Sequence, residues 1–174
     1  LSDIENSDHD YIYVSYGDIV LSSKNIELLL ASDSDMNVVI DRDWEKLWSL
    51  RMDDYMDDVE SLKIFEDRIE EIGKKPLSKN DIQGQYIGVL KIRRDLLIEN
   101  LKSYLSWVNE GEDQDIVALR KNIYLTDFIQ TNIDQGIHVK PVFINGGWLE
   151  LDSVADLTAY EESWGRVSIF SDLL

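Results

Sequence analysis

The order of apolar and polar positions along the 174-residue chain alternates between strand-like runs and helix-like spacing. Runs rich in β-branched and aromatic residues predict strands, and apolar residues three or four positions apart predict helices. The predicted strands cover residues 11–15, 36–40, 61–65, 69–72, 84–92, 138–144 and 148–151. The predicted helices cover residues 24–31, 44–51, 95–109, 115–121, 125–135 and 153–162. Because strands and helices alternate, we expect one layered α/β domain with a mostly parallel sheet and a well-buried first strand.

Two stretches place acidic residues directly after apolar runs. Gly17-Asp18 ends the first predicted strand, and a late Gly-Gly-Trp stretch carries Glu150 and Asp152. Open α/β sheets bind their ligands at the carboxyl ends of the strands. We therefore predict that the two stretches meet in space and that Asp18 and Asp152 hold a metal ion between them. The alternative is that Gly17-Asp18 is an ordinary turn and that Asp152 caps a helix.

The late acidic stretch also shows an alternation of side chains. If residues 148–152 are extended, Glu150 and Asp152 share one face of the strand, because successive side chains point to opposite faces. Both acids then point toward one ion or one cationic substrate, and we expect Leu149 and Leu151 to face the core.

The charge of the chain is strongly negative, with 35 acidic residues against 17 basic ones and a formal net charge of −18. Such a surface repels nucleic acid and anionic membranes, and it suits a divalent metal or a cationic small ligand, although a merely soluble acidic protein is the alternative. The chain has no cysteine, which excludes disulfides and thiolate metal sites. With no apolar run of membrane-spanning length and no signal-peptide pattern, we expect a cytoplasmic protein that binds neither nucleic acid nor membranes.

Two further groups of residues are candidates for binding phosphate and ammonium groups. Lys74 and Lys75 lie between a glycine and a proline, where a rigid lysine pair suits a phosphate, and a solvated basic turn is the alternative. Aromatic faces beside carboxylates hold ammonium groups. The aromatic candidates for such a pocket, together with the acids of residues 57–60, are Trp44, Trp48, Tyr55, Tyr86 and Trp148. For Trp44 and Trp48, whose spacing is helical, burial in the core is the alternative.

Several short motifs occur in the order in which a known family carries them. They are Ser15-Tyr16-Gly17-Asp18-Ile19, Arg51 with Asp57-Asp58-Val59-Glu60-Ser61-Leu62-Lys63, Glu71-Ile72-Gly73-Lys74-Lys75-Pro76, Gly84-Gln85-Tyr86-Ile87-Gly88, Tyr124-Leu125-Thr126-Asp127, and Gly147-Trp148-Leu149-Glu150-Leu151-Asp152-Ser153 with Asp156-Leu157. On these motifs the chain resembles the sugar-nucleotidyltransferase superfamily. It is most similar to the branch that includes phosphocholine and 2-aminoethylphosphonate cytidylyltransferases.

The resemblance implies a Rossmann-like layered nucleotidyltransferase domain that uses Mg²⁺, a nucleoside triphosphate such as CTP, and a small phosphate or phosphonate acceptor. It implies that Asp18 and Asp152 bind Mg²⁺, that Lys75 contacts the acceptor's phosphate or phosphonate, and that Glu150 faces the acceptor's ammonium group. The predicted catalytic residues are Lys75, Asp18 and Asp152, and the predicted substrate-binding residues are Glu150, Lys74, Tyr86, Trp148, Asp58, Glu60 and Arg51. The reaction would be attack of the acceptor's oxygen on the α-phosphorus of CTP with release of pyrophosphate.

One element of the family pattern has no counterpart in the sequence. The family opens with a strand and a Gly-rich loop of the type Gly-x-Gly-x-Arg, whose backbone amides and basic groups hold the nucleotide. We therefore expect residues 1–174 to be a single domain forming the C-terminal two-thirds of a nucleotidyltransferase domain. Its partners would then include a missing N-terminal segment or further copies of the chain. A sugar 1-phosphate acceptor and an inactive nucleotidyltransferase-like binding domain are the alternatives.

Overall fold

A four-stranded mixed sheet forms the centre of the fold, and a computed structural model describes residues 2–52, 54–110 and 122–164. The strands are β1 (Tyr11–Ser15), β2 (Ile19–Leu21), β3 (Met36–Asp41), β4 (Leu62–Phe65), β5 (Arg68–Ile72), β6 (Gln85–Arg93), β7 (Val139–Ile144) and β8 (Trp148–Glu150). The helices are α1 (Ser2–Glu5), α2 (Ser23–Ala31), α3 (Trp44–Arg51), α4 (Arg94–Asn109), α5 (Leu125–Asp134) and α6 (Val154–Ser163). Single turns of 3-10 helix cover Tyr55–Asp57 and Lys79–Asp81.

The central sheet has the strand order β1-β6-β3-β7, and β2 with β8 and β4 with β5 form two small antiparallel pairs. Strand β3 runs parallel to β7, whereas β6 runs antiparallel to both β1 and β3. The expected α/β architecture with a mixed sheet is confirmed, but the parallel share is smaller than expected. The reason is that β6 is inserted in the opposite direction between two strands that run the same way, and the alternation of elements along the chain does not report strand order.

The first strand is less buried than the sequence predicted. Strand β1 lies at the edge of the central sheet, and the side chain of Tyr13 is 48% exposed. Aromatic and β-branched residues favour a pleated, half-buried surface, so they mark an edge strand as readily as a central one.

The sheet separates two groups of buried apolar side chains. On one face, Val39 and Val142 pack with the tryptophans of α3 and with Tyr160 of α6. On the other face, Val38 packs with residues of α4, α5 and the β4–β5 hairpin. Alternate residues of β3 therefore enter different layers, as the two-residue period of a strand requires.

Most predicted element bounds are confirmed within one or two residues. The side chain of Ser22 accepts a hydrogen bond from the Asn25 amide at the start of α2, and Ser153 with Asp156 forms a capping box at the start of α6. Helix α4 also has the expected extent, and its Leu105 is 45% exposed. The predicted helix over residues 115–121 lies outside the described residues. Within the described ranges, every helix is too short or too polar to cross a lipid bilayer.

Candidate active site

The two acidic stretches meet through the pairing of β2 with β8. Ile19 lies opposite Glu150 in this antiparallel pair, and the amide of Leu151 donates a hydrogen bond of 2.9 Å to the carbonyl oxygen of Asp18. The prediction that residues far apart in sequence come together here is confirmed. The backbone register sets Asp18 and Asp152 at the same end of the pair.

The turn that leads into β8 is held by two buried polar side chains. Asn25 Nδ2 donates to the carbonyl oxygens of Gly146 and Gly147 at 2.9 and 3.0 Å. Asp41 accepts hydrogen bonds from the Gly146 amide at 3.0 Å and from Trp148 Nε1 at 2.8 Å. The prediction that Trp148 lines a substrate pocket is wrong, because its side chain is 1% exposed and packs in the core while its one polar atom is bound to Asp41.

Arg51 ends α3 among three carboxylates. Its Nε donates to Asp156 at 2.9 Å, its Nη1 donates to Glu150 at 2.5 Å, and its Nη2 donates to Asp152. Burial alone would lower the pKa of Arg51, but the hydrogen-bonded carboxylates of Asp156 and Glu150 raise it above its ordinary value. We call these four residues the Arg51 cluster.

The prediction that Arg51 binds substrate does not fit this arrangement. The Arg51 side chain is 1% exposed, and each of its three nitrogens already donates to a carboxylate of the same chain. A planar guanidinium with several donors is suited to fixing carboxylates relative to one another. Arg51 is therefore a positioning residue that joins α3 to β8 and α6.

The environment of Glu150 is set by burial and by its neighbours. Burial raises the pKa of Glu150, the Arg51 guanidinium opposes this effect, and the negative charges of Asp152 and Asp18 add to it. The expected alternation around Glu150 is present only in part. Leu149 is buried, but Leu151 is 39% exposed because the strand has ended before it.

The carboxylates of Asp18 and Asp152 fit the donor chemistry of a magnesium site. Magnesium favours oxygen ligands and is commonly held by one or two carboxylates, with waters and substrate phosphates completing its shell. Among the described residues, the Asp18 carboxylate and the second oxygen of Asp152 have no partner, although Arg51 holds the first oxygen of Asp152. The described part of the chain contains no group of three or more His, Cys, Asp or Glu that could hold a metal ion, so these two acids would share the ion with non-protein ligands.

The two lysines of the Gly-Lys-Lys-Pro segment have different surroundings. Lys74 Nζ pairs with Glu71 at 2.8 Å, whereas Lys75 is exposed and has no ion pair within the described ranges. The segment itself is fixed to its neighbour, because the Ser61 amide donates to the Lys74 carbonyl oxygen at 2.7 Å. The two neighbouring lysines therefore differ, because an acid of the chain pairs with Lys74 and none of the described acids pairs with Lys75.

Glu60 lies beside this lysine segment, in a group of uncharged polar side chains. Thr126 Oγ1 donates to Glu60 Oε1 at 3.4 Å, and the rings of Tyr86 and Tyr16 meet edge to face at 6.0 Å. Burial raises the pKa of Glu60, and the negative charges of Asp127 and Asp58 act in the same direction. Asp58, a predicted binding residue, is exposed near this group. We call Glu60, Thr126, Tyr86 and Tyr16 the Glu60 cluster.

The remaining predicted pocket aromatics lie elsewhere. Trp44 and Trp48 are 3% and 5% exposed and pack edge to face in the core, as the alternative interpretation of their helical spacing held. Sequence reasoning did not select Tyr16, Thr126 or Asp156 as site residues. All three lie inside the motifs that carry the family resemblance, so their position in those motifs was the available signal.

A curated protein similar to this chain is the CTP:phosphoglutamine cytidylyltransferase of Campylobacter jejuni subsp. jejuni, which is 35% identical over 149 residues. The match covers 84% of this chain and 57% of that protein, so the chain spans somewhat more than half the length of the curated relative. No protein-family model matches the chain.

Solved structures with a similar fold come from nucleotide-transferring enzymes. The inositol-1-phosphate CTP transferase of T. maritima matches with a TM-score of 0.56 and 18% identity over 92% of this chain and 59% of that one. The nucleoside-diphosphate-sugar pyrophosphorylase of Vibrio cholerae matches with a TM-score of 0.53 and 13% identity over 91% of this chain and 59% of that one. These likenesses confirm the expected nucleotidyltransferase fold.

Proposed function

Because the chain resembles the cytidylyltransferases of the sugar-nucleotidyltransferase superfamily in sequence and in fold, we propose that it takes part in Mg²⁺-dependent cytidylyl transfer from CTP to a small phosphate or phosphonate acceptor. An oxygen of the acceptor's phosphate or phosphonate attacks the α-phosphorus of CTP. The bond from the α-phosphorus to the bridging oxygen of the β-phosphate breaks, and pyrophosphate leaves with the electron pair. The product is the acceptor with a cytidylyl group on its phosphate or phosphonate oxygen.

The observation that supports this proposal most directly is the meeting of Asp18 and Asp152 across the β2–β8 pair. Two carboxylates at one strand end suit a site where a triphosphate reacts, provided that a cation lies between them and the phosphates. Magnesium bound there would offset the negative charge of the triphosphate. Arg51 keeps Asp152 and Glu150 in fixed positions without entering the reaction.

Lys75 is the residue that we assign to the acceptor's phosphate or phosphonate. Its exposed ammonium group can approach an anion, and the backbone pairing of Lys74 with Ser61 fixes the segment that carries it. Phosphoryl-group chemistry needs positioning and charge neutralisation more than a protein nucleophile. Lys75 would therefore act by orienting the attacking oxygen and by offsetting its charge.

The experiment that tests the reaction is pyrophosphate release by the protein as encoded, with Mg²⁺ and with CTP, UTP or GTP. Each nucleotide is paired with 2-aminoethylphosphonate, phosphocholine and glucose 1-phosphate. We expect release with CTP and an acceptor of the first two kinds, and a loss of roughly a hundredfold or more in Asp18→Asn, because one of the two proposed metal ligands is lost. Titration of Mg²⁺ by calorimetry should show weaker binding in the same variant.

Matched controls separate the proposed site from general effects on folding. Asp33→Asn removes an exposed acid that pairs with Lys140 on the surface, and it should leave pyrophosphate release unchanged. If no pair of nucleotide and acceptor gives pyrophosphate release while circular dichroism shows an intact fold, the proposed reaction is contradicted and a binding domain is favoured. Pyrophosphate release with glucose 1-phosphate and with neither of the other acceptors would identify a sugar 1-phosphate as the acceptor instead.

The second candidate function is an inactive nucleotidyltransferase-like binding domain, and one observation favours it. Arg51 already occupies one oxygen of Asp152, so a metal must share or displace that contact. The metal titration separates the two, because a binding domain of this kind would show no difference in Mg²⁺ affinity between the natural sequence and Asp18→Asn.

A further inference from the structure

We propose that Glu60 binds a primary ammonium group on the acceptor, with Thr126 and Tyr86 completing a hydrogen-bonding subsite beside the lysine segment. This inference rests on the proposed function and narrows its acceptor class. It places the cationic end of the acceptor on Glu60 and not on Glu150, which was the carboxylate that the family resemblance assigned to it.

The contrast in partners between the two glutamates is the first step. Glu150 is paired with Arg51 at 2.5 Å, so the chain itself provides a cationic partner for this carboxylate. In the described part of the chain no basic side chain pairs with Glu60, and the charged groups that act on it, Asp58 and Asp127, are both acidic. A half-buried carboxylate with two acidic neighbours and no basic one is costly unless a cation binds to it.

The second step is an unpartnered polar atom in the same cluster. The hydroxyl oxygen of Tyr86 is buried and has no hydrogen-bond partner among the described residues. Buried hydroxyl groups are almost always hydrogen-bonded, so an orphan of this kind requires an explanation. A bound ligand that contacts both Glu60 and Tyr86 supplies one.

The third step is that two glycines make room for the cluster. Gly73 has φ +85°, and a Cβ there would lie 2.7 Å from Thr126 Cβ. Gly88 has φ +79°, and a Cβ there would lie 2.2 Å from the ring of Tyr16. Any side chain at either position would therefore push Thr126 or Tyr16 away, which indicates that the close approach of these groups is built into the backbone.

The fourth step is the position of Glu60 relative to Lys75. Ser61, the neighbour of Glu60, exchanges backbone hydrogen bonds with the Gly73–Lys74 segment at 3.2 and 2.7 Å. The amide of Glu60 and its carbonyl oxygen are fixed in turn by the side chain of Gln85 at 3.1 and 2.7 Å. The backbone pairing therefore places Glu60 on the segment next to the one that carries Lys75, an order that suits a small acceptor with an ammonium group at one end and a phosphate at the other.

The nature of the neighbours favours a primary over a quaternary ammonium group. Quaternary groups have no N–H donor and are held by aromatic faces. Trp44, Trp48 and Trp148 lie in the core, so the described residues around Glu60 offer oxygens and two tyrosine rings. The oxygens of Glu60, Thr126 and Tyr86 can each accept an N–H, and a primary ammonium has three to donate.

Binding, measured without turnover, tests this inference on the protein as encoded. Calorimetry compares 2-aminoethyl phosphate with propyl phosphate, which has the same length but ends in a methyl group, and with phosphocholine, which has no N–H donor. We expect the primary amine to bind roughly tenfold or more tightly than either, because charge-assisted hydrogen bonds in a half-buried site contribute that much. Glu60→Gln should abolish the preference and leave propyl phosphate binding unchanged.

Two further variants make the test specific. Glu70→Gln removes an exposed glutamate of β5 and should leave every affinity unchanged. Tyr86→Phe removes the buried hydroxyl group that has no hydrogen-bond partner among the described residues. It should therefore raise the unfolding midpoint of the free protein and lower the affinity for 2-aminoethyl phosphate about threefold. A purely structural tyrosine would show no loss of binding.

The outcomes for the inference and for the reaction are distinguishable. Equal affinities for the three ligands, no binding of 2-aminoethyl phosphate, or a preference that persists in Glu60→Gln would overturn the inference even if pyrophosphate is released. A Glu60-dependent preference without pyrophosphate release would retain the inference and contradict the proposed reaction.

Discussion

The Arg51 cluster and the Glu60 cluster are both rich in oxygen atoms and partly buried, yet they differ in how negative charge is balanced. In the first, one guanidinium donates to three carboxylates that lie at the end of β8, at the start of α6 and between these two elements. In the second, the described residues provide hydroxyl groups and further acids but no cation. The comparison indicates that the chain itself supplies the cation beside Glu150 and Asp156, whereas the surroundings of Glu60 are arranged for a cation that comes from outside.

The largest expected effect comes from removing the cation of the first cluster. Arg51→Ala leaves the carboxylates of Glu150 and Asp156 partly buried without their partner, and we expect a loss of about 3 kcal/mol in the free energy of unfolding, measured by urea denaturation. Arg93→Ala is the matched control, because Arg93 pairs with Asp35 at an exposed position and its loss should cost under about 1 kcal/mol. Similar losses in the two variants would contradict the idea that Arg51 organises the cluster.

A smaller effect is expected when the same substitution is made in each cluster. Glu150→Gln weakens a charge-assisted contact with Arg51, and we expect it to lower the free energy of unfolding by about 1.5 kcal/mol. Glu60→Gln removes an unanswered charge, and we expect it to raise that free energy by about 0.5 kcal/mol. The decisive quantity is the sign of the change in the free energy of unfolding, measured by denaturation of each variant beside the natural sequence. A loss of stability in both variants would contradict the distinction between the two clusters.

The smallest effect is the pH dependence of the difference in the free energy of unfolding between Glu60→Gln and the natural sequence. The pKa of Glu60 is raised in the folded protein, so between its ordinary value of 4.5 and the raised value the folded state binds more protons than the unfolded state. The contribution of Glu60 to the free energy of unfolding of the natural sequence therefore falls as the pH rises through that window. The advantage of Glu60→Gln over the natural sequence should vanish below pH 4.5 and be fully present above the raised pKa.

Denaturation curves of both proteins between pH 4 and 8 measure this difference, with the free energies of unfolding subtracted at each pH. Subtraction cancels the other acidic groups, which are common to both proteins. An advantage that stays constant across the range would mean that the charge of Glu60 does not set its energetic cost.

Sequence reasoning predicted the elements better than it predicted the surroundings of their side chains. The helical spacing of Trp44 and Trp48 predicted α3, and the two apolar runs at residues 61–65 and 69–72 predicted the strands of the β4–β5 hairpin. The acids at the ends of β2 and β8 were recognised because an acid that follows an apolar run is a local pattern. Local patterns of this kind depend on neighbours within a few residues.

The features that escaped prediction depend on contacts between distant positions. Arg51 reaches carboxylates about a hundred positions later in the chain, and no local pattern indicates that its nitrogens are already taken. Trp148 was assigned to a pocket because aromatic residues suit both pockets and cores, and only the position of Asp41 decides between them. The edge position of β1 likewise depends on where β6 is inserted.

The two hydrogen bonds from Asn25 to the carbonyl oxygens of Gly146 and Gly147 span more than 120 positions in sequence. They join the start of α2, which follows β2, to the turn before β8, so the segments that carry the two strands of the pair are fixed to each other at this point. Closing a loop of this length carries an entropic cost that is recovered only when both partners are in place. We therefore expect the β2–β8 pair and the turn before it to form as one cooperative unit, whose amides open to solvent exchange together.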